Sequence, residues 1–322
     1  MRIGCLQFAP RVGVVDDNVG LANAVLDRTS PKDLDLLVLP ELAFTGYNFK
    51  SFGEIRPFLE RQGSGTSAVW AKNIALKYNC IVTVGYPEKV DADPERSIAP
   101  NHYNSALIVN ADCKTIGNYR KSFLYYTDYN WASEGKAGFF NGFIPELGTV
   151  SMGICMDLNP YLFLEDRWNA FEFASHCLKV KANLIILTMA WLTSEAASDF
   201  TLFPDRPCFR SLAYWIIRLG PLIRAESEEE TIVVFCNRAG IEDEAVYAGT
   251  SAVIGIRDGQ VILYGVLGRG KQDLLMVDTE ATPDAKIIHR FDSQLPVPET
   301  TEAFYFEIEK LATTLEQRVS GL

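Results

Sequence analysis

An α/β fold with mixed sheets is what the order of residues predicts, and three observations predict it. Short β-branched apolar runs recur along the chain, longer stretches with helical apolar spacing lie between them, and two tight turns join successive strand-like runs into hairpins. In chain order, strands are expected at residues 3–8, 34–39, 81–86, 105–109, 117–120, 149–154, 184–188 and 232–237. Helices fit residues 18–28, 66–78, 168–180 and 209–226, the last interrupted near Gly220-Pro221 because proline has no amide hydrogen and crowds the preceding turn. The turn from Asp112 to Lys114 reads as one hairpin, and Arg257-Asp258-Gly259 as another, joining 252–256 to 261–266. Residues 90–100 are polar and read as a surface loop. No internal repeat, low-complexity tract or proline-rich linker divides the chain, so residues 1–322 are expected to form one domain.

Composition narrows the function classes. With 48% hydrophobic and 22% charged residues, the chain has the make-up of a soluble globular protein. A net charge of −11 disfavours nonspecific binding to nucleic acid or to an anionic membrane, both of which need clustered Lys and Arg. It is compatible with cationic substrates, and it also simply aids solubility. Seven cysteines, an odd number without CxxC pairing, suggest neither a disulfide framework nor a zinc site, so reduced thiols are expected. The start MRIGCLQFAP lacks a signal peptide's basic flank and long apolar run, and no apolar run reaches the ~18 residues that span a bilayer. The expected compartment is cytoplasmic, with no nucleic acid or membrane partner.

Three apolar strands end abruptly in a residue suited to chemistry. In LDLLVLPE the run is stopped by Pro40 and delivers Glu41 to the strand's carboxyl end, where ligands gather in α/β sheets. In GNYRKSFLYYTDYNW a strand ends at Lys121, followed by an aromatic-rich loop of the kind that can wall a cationic ligand. In TVSMGICMDLNPY, Gly153 allows a tight approach just before Cys155, whose thiol would meet backbone amides able to stabilise a thiolate and an oxyanion. Taken singly, each has an ordinary explanation: an exposed carboxylate, a solvated lysine, a buried structural thiol.

Together, PEL around Glu41, YRK around Lys121 and GICMD around Cys155 resemble the Glu-Lys-Cys triad of the nitrilase superfamily of carbon–nitrogen hydrolases. The resemblance extends to MRIGCLQFAP as first strand, NHYNSALIVNADCKTIGNYRK as central hairpin and NRAGIEDEAVYAGTSAVIGIRDGQVI as closing strands. It implies a four-layer α-β-β-α sandwich of two mixed sheets. KSFLYYTDYNWASEG, GICMDLNPYLF, FEFASHCLKVKANLIILTMAWL and the NRAG segment look most similar, within the superfamily, to fungal N-terminal amidases. That likeness implies deamidation of N-terminal Asn and Gln to Asp and Glu, through a Cys thioester, in the pathway that degrades proteins by their first residue. Its partners would be protein or peptide N-termini beginning with Asn or Gln, and a homodimer is compatible with the superfamily.

The implied roles follow. Cys155 is the nucleophile, Glu41 the proton carrier, and Lys121 with the Met156 amide the oxyanion donors. Glu134, in ASEG, is the candidate for the further glutamate that supports the lysine in many members. No Arg follows the Cys-x-Asp element, so the carboxylate clamp of several members is missing. A free α-amine would instead need acceptors, for which Asp157, Asp128 and Glu134 are candidates, each equally able to serve structurally. Tyr47 and Trp191 complete the candidate substrate-binding set. His102, His176 and His289 match no role in the pattern, with His176 expected to pack. No cofactor and no metal are implied. The rival readings are a hydrolase of small free amides or carbamoyl compounds, and a silent binding module on the same fold.

Overall fold

Alternation of apolar residues along the early strands settles how the chain folds into layers. The computed structural model describes residues 1–92, 95, 99–164, 167–287 and 301–319. Strands β1 (Arg2–Gln7), β2 (Leu36–Val38), β3 (Glu60–Arg61), β4 (Ile81–Val90), β5 (Asn101–Val109), β6 (Thr115–Arg120) and β15 (Asp273–Asp278) make one seven-stranded sheet. Strands β7 (Phe140–Ile144), β8 (Gly148–Ile154), β9 (Leu184–Met189), β10 (Thr231–Asn237), β13 (Ala252–Arg257), β14 (Gln260–Val266) and β16 (Ala285–Ile287) make another, and β11 (Ile241–Glu242) pairs separately with β12 (Ala245–Val246). In the first sheet Ile3, Cys5, Leu36, Val38, Ile81, Ala106 and Ile108 point into the core shared with the second sheet. Their neighbours Leu6, Leu37, Val82, Val84, Leu107 and Val109 point the other way, onto helices α1 (Val15–Thr29) and α3 (Thr66–Tyr78). Successive residues on a strand face opposite sides, so each run is apolar throughout because both faces are covered.

The second sheet is covered on its outer face by α4 (Glu172–Lys179), α6 (Phe209–Arg218) and α7 (Gly220–Arg224), with α8 (Thr301–Val319) packed against α6. Helices, sheet, sheet and helices thus stack as the expected four layers. Short helices α2 (Phe52–Ile55) and α5 (Ala197–Phe200) lie in connections. Both sheets are mixed: β1, β2 and β4 run parallel, as do β8, β9 and β10, while the remaining pairings of the two main sheets are antiparallel apart from β3 with β4. Both predicted hairpins form, with Cys113 at φ 61° in one turn and Asp258 and Gly259 at φ 52° and 69° in the other.

Several expectations need correction. The helix read over 168–180 is shorter, starting at Glu172, because the buried Arg218 takes the carbonyls of Trp168 (2.8 Å) and Ala170 that would otherwise open it. The helix read over 209–226 breaks at Leu219, restarts with Pro221 in its first turn and stops at Arg224. Strand β15 pairs with β1 from the far end of the chain, a pairing no local pattern announces. His289 and part of the 90–100 loop lie outside the described residues. No helix among the described residues is long and apolar enough to cross a membrane. All seven cysteines are free thiols.

Candidate active site

Strands β2, β4 and β6 point in one direction, as do β8 and β9, and the chain leaving four of them supplies one cluster. Glu41 comes three residues after β2, Lys121 directly after β6, Cys155 directly after β8 and Ala190 directly after β9. Glu41 reaches the cluster because Gly85 lies beneath it: a Cβ at residue 85 would come within 2.7 Å of the Glu41 Cα and the Leu42 amide nitrogen. The Gly85 amide donates to the Pro40 carbonyl at 3.3 Å and its carbonyl accepts from the Ala43 amide at 3.0 Å. Lys121 continues the ladder, its amide donating to the Asn104 carbonyl at 2.8 Å.

The cluster is deeply buried. Lys121 and Glu41 are fully buried, and the Lys121 Nζ lies 2.6 Å from Glu41 Oε1 and 2.7 Å from Asp128 Oδ2. Asn104 Nδ2 donates to Glu41 Oε1 at 2.7 Å and to Asp128 Oδ1 at 3.2 Å. The Ala190 amide donates to Glu41 Oε2 at 2.9 Å. Burial lifts the Glu41 pKa from its ordinary value, with Lys121 opposing the rise. Burial presses the lysine the other way, but Asp128 and Glu41 outweigh it and hold the ammonium above its ordinary pKa. Cys155 sits close enough to feel both: burial and the Glu41 charge raise its thiol, while Lys121 and the Ala190 amide lower it. The sulfur therefore rests as a thiol, and it needs a proton transfer before it can attack.

Cys155 is held in an unusual backbone state. Its φ of 43° lies in the left-handed region that non-glycine residues rarely occupy, at the head of a single 3₁₀ turn, Cys155–Leu158. Gly153 permits the approach: a Cβ there would stand 2.9 Å from the Phe173 ring and 3.0 Å from Leu187. Asp157 braces the turn, accepting from the Ile154 amide (2.7 Å), the Phe123 amide (2.8 Å), the Ser122 amide (3.2 Å) and the Tyr119 hydroxyl (2.7 Å). From the other side Arg218 Nε holds the Leu158 carbonyl at 3.0 Å.

The candidates from sequence divide accordingly. Glu41, Lys121, Cys155, Asp128 and Tyr47 come together, the Tyr47 hydroxyl donating to Asp128 Oδ1 at 3.2 Å and its ring lying 5.6 Å from the Lys121 Nζ. Met156 follows the thiol within the 3₁₀ turn, and Trp191 follows Ala190, its ring against Tyr214 and Trp215. Two expectations fail. Glu134 does not support the lysine; it accepts from the Tyr161 hydroxyl at 3.1 Å, and the second carboxylate on Lys121 is Asp128, which a loop seven residues long returns to the ammonium. Asp157 and Asp128 are not positioned as substrate acceptors, because both are buried and their oxygens are occupied by donors of the protein itself.

Sequence reasoning missed Asn104, Gly85 and the Ala190 amide. A signal existed for Asn104: it shares the period-two register of the inward Ala106 and Ile108, and an amide in an apolar register needs a partner. Among the described residues no group of three or more His, Cys, Asp or Glu side chains is placed to hold a metal ion.

Residues 2–159, a span that includes Glu41, Lys121 and Cys155, match the carbon–nitrogen hydrolase family. The chain is similar to the protein N-terminal amidase of Schizosaccharomyces pombe, 36% identical over 295 residues covering 87% of this chain and 100% of that one. It is 34% identical over 220 residues to the protein N-terminal amidase of Saccharomyces cerevisiae, covering 62% of this chain and 46% of the yeast protein. Its fold matches the crystal structure of an N-terminal amidase with an Asn-Glu-Ala peptide, with a TM-score of 0.76 at 23% identity over 89% of this chain and 98% of that one.

Proposed function

Because this chain belongs to the carbon–nitrogen hydrolase family, and so hydrolyses carbon–nitrogen bonds in amides, we propose that its substrates are proteins beginning with Asn or Gln. On this reading it converts the first residue to Asp or Glu with release of ammonia. The observation that carries the proposal is the buried Glu41–Lys121 pair beside the Cys155 thiol, within a chain similar over 87% of its length to a protein N-terminal amidase.

The buried Glu41–Lys121 pair next to Cys155 supports a thioester route. Cys155 gives its proton to Glu41 as sulfur attacks the side-chain carbonyl carbon, and the oxyanion that forms faces the Lys121 ammonium and the Met156 amide. Glu41 passes the proton to the departing nitrogen, ammonia leaves, and a thioester remains. Glu41 then takes a proton from water, whose oxygen attacks the thioester; the carboxylic acid leaves and the thiol is restored. A carboxylate whose pKa burial has lifted suits both directions of transfer. Lys121 stays charged throughout, which keeps its charge available to the oxyanion.

The same site favours an α-ammonium beside the amide. One lysine faces two carboxylates, which leaves the cluster with net negative charge. Tyr125 lies against the exposed Tyr126, their tilted rings 4.4 Å apart between centres, and aromatic faces of this kind attract a cation. We place the enzyme in the cytoplasm, upstream of degradation that reads N-terminal residues. Ammonia release from Asn-first, acetyl-Asn-first and Gly-Asn-first peptides tests the reading: only the first should be hydrolysed at an appreciable rate. Comparable rates on all three would make this a general hydrolase of small amides.

A further inference from the structure

We infer that Asn104 is the positioning residue that sets the pH at which Glu41 can accept the Cys155 proton. The inference rests on Glu41 being that acceptor.

Asn104 is fully buried in β5, and its Nδ2 bridges the two carboxylates that share Lys121: 2.7 Å to Glu41 Oε1 and 3.2 Å to Asp128 Oδ1. The opposite amide orientation would aim the carbonyl oxygen at two anions, so the nitrogen belongs where it is placed. Among the described residues its Oδ1 has no partner. All the hydrogen bonding of this side chain is thus directed at the two carboxylates, which is not how a scaffold amide is used. Its backbone serves the sheet, the carbonyl accepting from the Lys121 amide, and a substitution leaves that bond in place.

The charged and titratable groups facing Glu41 explain why a neutral donor matters. Lys121, at the end of β6, favours the ionised carboxylate, but the same ammonium also serves Asp128. Asp128, in the following loop, disfavours it, and a Cys155 thiolate after β8 would do so as well. Tyr47, after β2, and Tyr247, after β12, also lie within electrostatic reach and are held neutral by burial. Asn104 and the Ala190 amide are the uncharged donors on Glu41. Bonds donated to the charged form lower a carboxyl pKa, so removing Asn104 Nδ2 should leave Glu41 protonated to higher pH.

The test follows iodoacetamide alkylation of the Cys155 peptide by mass spectrometry across pH, in wild type, Asn104→Leu and Asn104→Asp. Leu removes the donors at similar volume; Asp keeps the shape and replaces donors with a third carboxylate. The acid limb of the wild-type profile should move to higher pH by about one unit in Asn104→Leu, the scale of one lost bond to a charged group, and further in Asn104→Asp. Circular dichroism checks folding, and Asn104→Ser, which keeps one donor, should give an intermediate shift if Leu does not fold. An unmoved limb with the rate lowered equally at every pH would overturn the inference. Glu41→Gln separates the premise: if it leaves the wild-type limb unchanged, Glu41 is not the acceptor. No substrate is needed for any of these measurements.

Discussion

Two fully buried ionic clusters lie among the described residues, linked through Tyr47. Lys121 holds Glu41 and Asp128; Arg238 holds Glu242. In the second cluster, Glu242 also accepts from the Tyr247 hydroxyl (2.6 Å) and the Asn48 amide (2.9 Å). Arg238 also donates to the Pro10 carbonyl at 2.6 Å and lies 3.9 Å from the centre of the Tyr247 ring. One cation meets one anion there, and neighbours from three loops complete both. The first cluster has two anions for one cation, and a thiol in a left-handed backbone state stands next to it. Burial of charge is common to both, so burial alone marks no site. Uneven charge beside a thiol distinguishes the first, while the second fixes the loop that carries Tyr47.

The largest effect that would break this comparison is at the thiol. Cys155→Ala should lower turnover on an Asn-first peptide by on the order of 10⁵-fold or more with the fold retained, since it removes the proposed nucleophile itself. Substitution to Ala at Cys5, Cys80, Cys113, Cys177, Cys208 or Cys236 should leave turnover per folded molecule largely intact. Full turnover by a folded Cys155→Ala protein would remove the assignment.

Next come the charged partners. Glu41→Gln should cost about 10²–10⁴-fold and Lys121→Met about 10²–10³-fold in turnover, as expected for lost proton transfer and lost oxyanion stabilisation. Arg238→Met should behave differently, costing about 3–5 kcal/mol of stability because Glu242 is left buried without its cation, with a much smaller loss of turnover per folded molecule. Denaturant unfolding and steady-state kinetics on the same samples separate the two outcomes. Equal catalytic losses at Lys121 and Arg238 would erase the distinction drawn above.

Asp128→Asn should lower turnover by at least about tenfold, the equivalent of one pKa unit of lost pairing on Lys121, whereas Glu134→Gln should change it by less than about twofold. The reverse ranking would restore Glu134 as the lysine's support.

The smallest effect concerns Glu60, a buried carboxylate that accepts from the Ser67 amide and hydroxyl rather than from a cation. Burial raises its pKa to about 7. A raised carboxyl pKa means the folded state binds its proton more tightly than the unfolded chain. The resulting stability is present at low pH and is lost as pH rises from about 4.5 to about 7. The melting-temperature advantage of wild type over Glu60→Gln should therefore be largest near pH 4 and shrink toward pH 8. A constant difference would show that folding does not raise the Glu60 pKa.

Much of the fold was legible because the strands carry their own pattern. Residues 81–86, 149–154 and 184–188 read as strands from apolar β-branched runs, and the helix read over 66–78 is found at those bounds. Errors arose where a distant side chain intervened, as when Arg218 claimed the carbonyls of Trp168 and Ala170. In the site, Glu41, Lys121 and Cys155 stood out as residues ending strands. Asp128 and Glu134 were interchanged because linear distance from Lys121 does not tell which carboxylate the loop turns inward.

By itself, the sequence determined the alternation that buries both faces of each strand, the turns that reverse the chain, and the placing of Glu41, Lys121 and Cys155 at or just beyond strand ends. Those are local properties, set by side-chain period and backbone preference within a few residues. Only the tertiary structure decided that Asn104 bridges two carboxylates, that the Ala190 amide completes Glu41, and that Asp157 braces the nucleophile turn instead of meeting substrate. The physical reason is that a buried polar group must find partners wherever the packed sheets bring donors and acceptors within about 3 Å, and that proximity is a property of the assembled sandwich, not of any one segment.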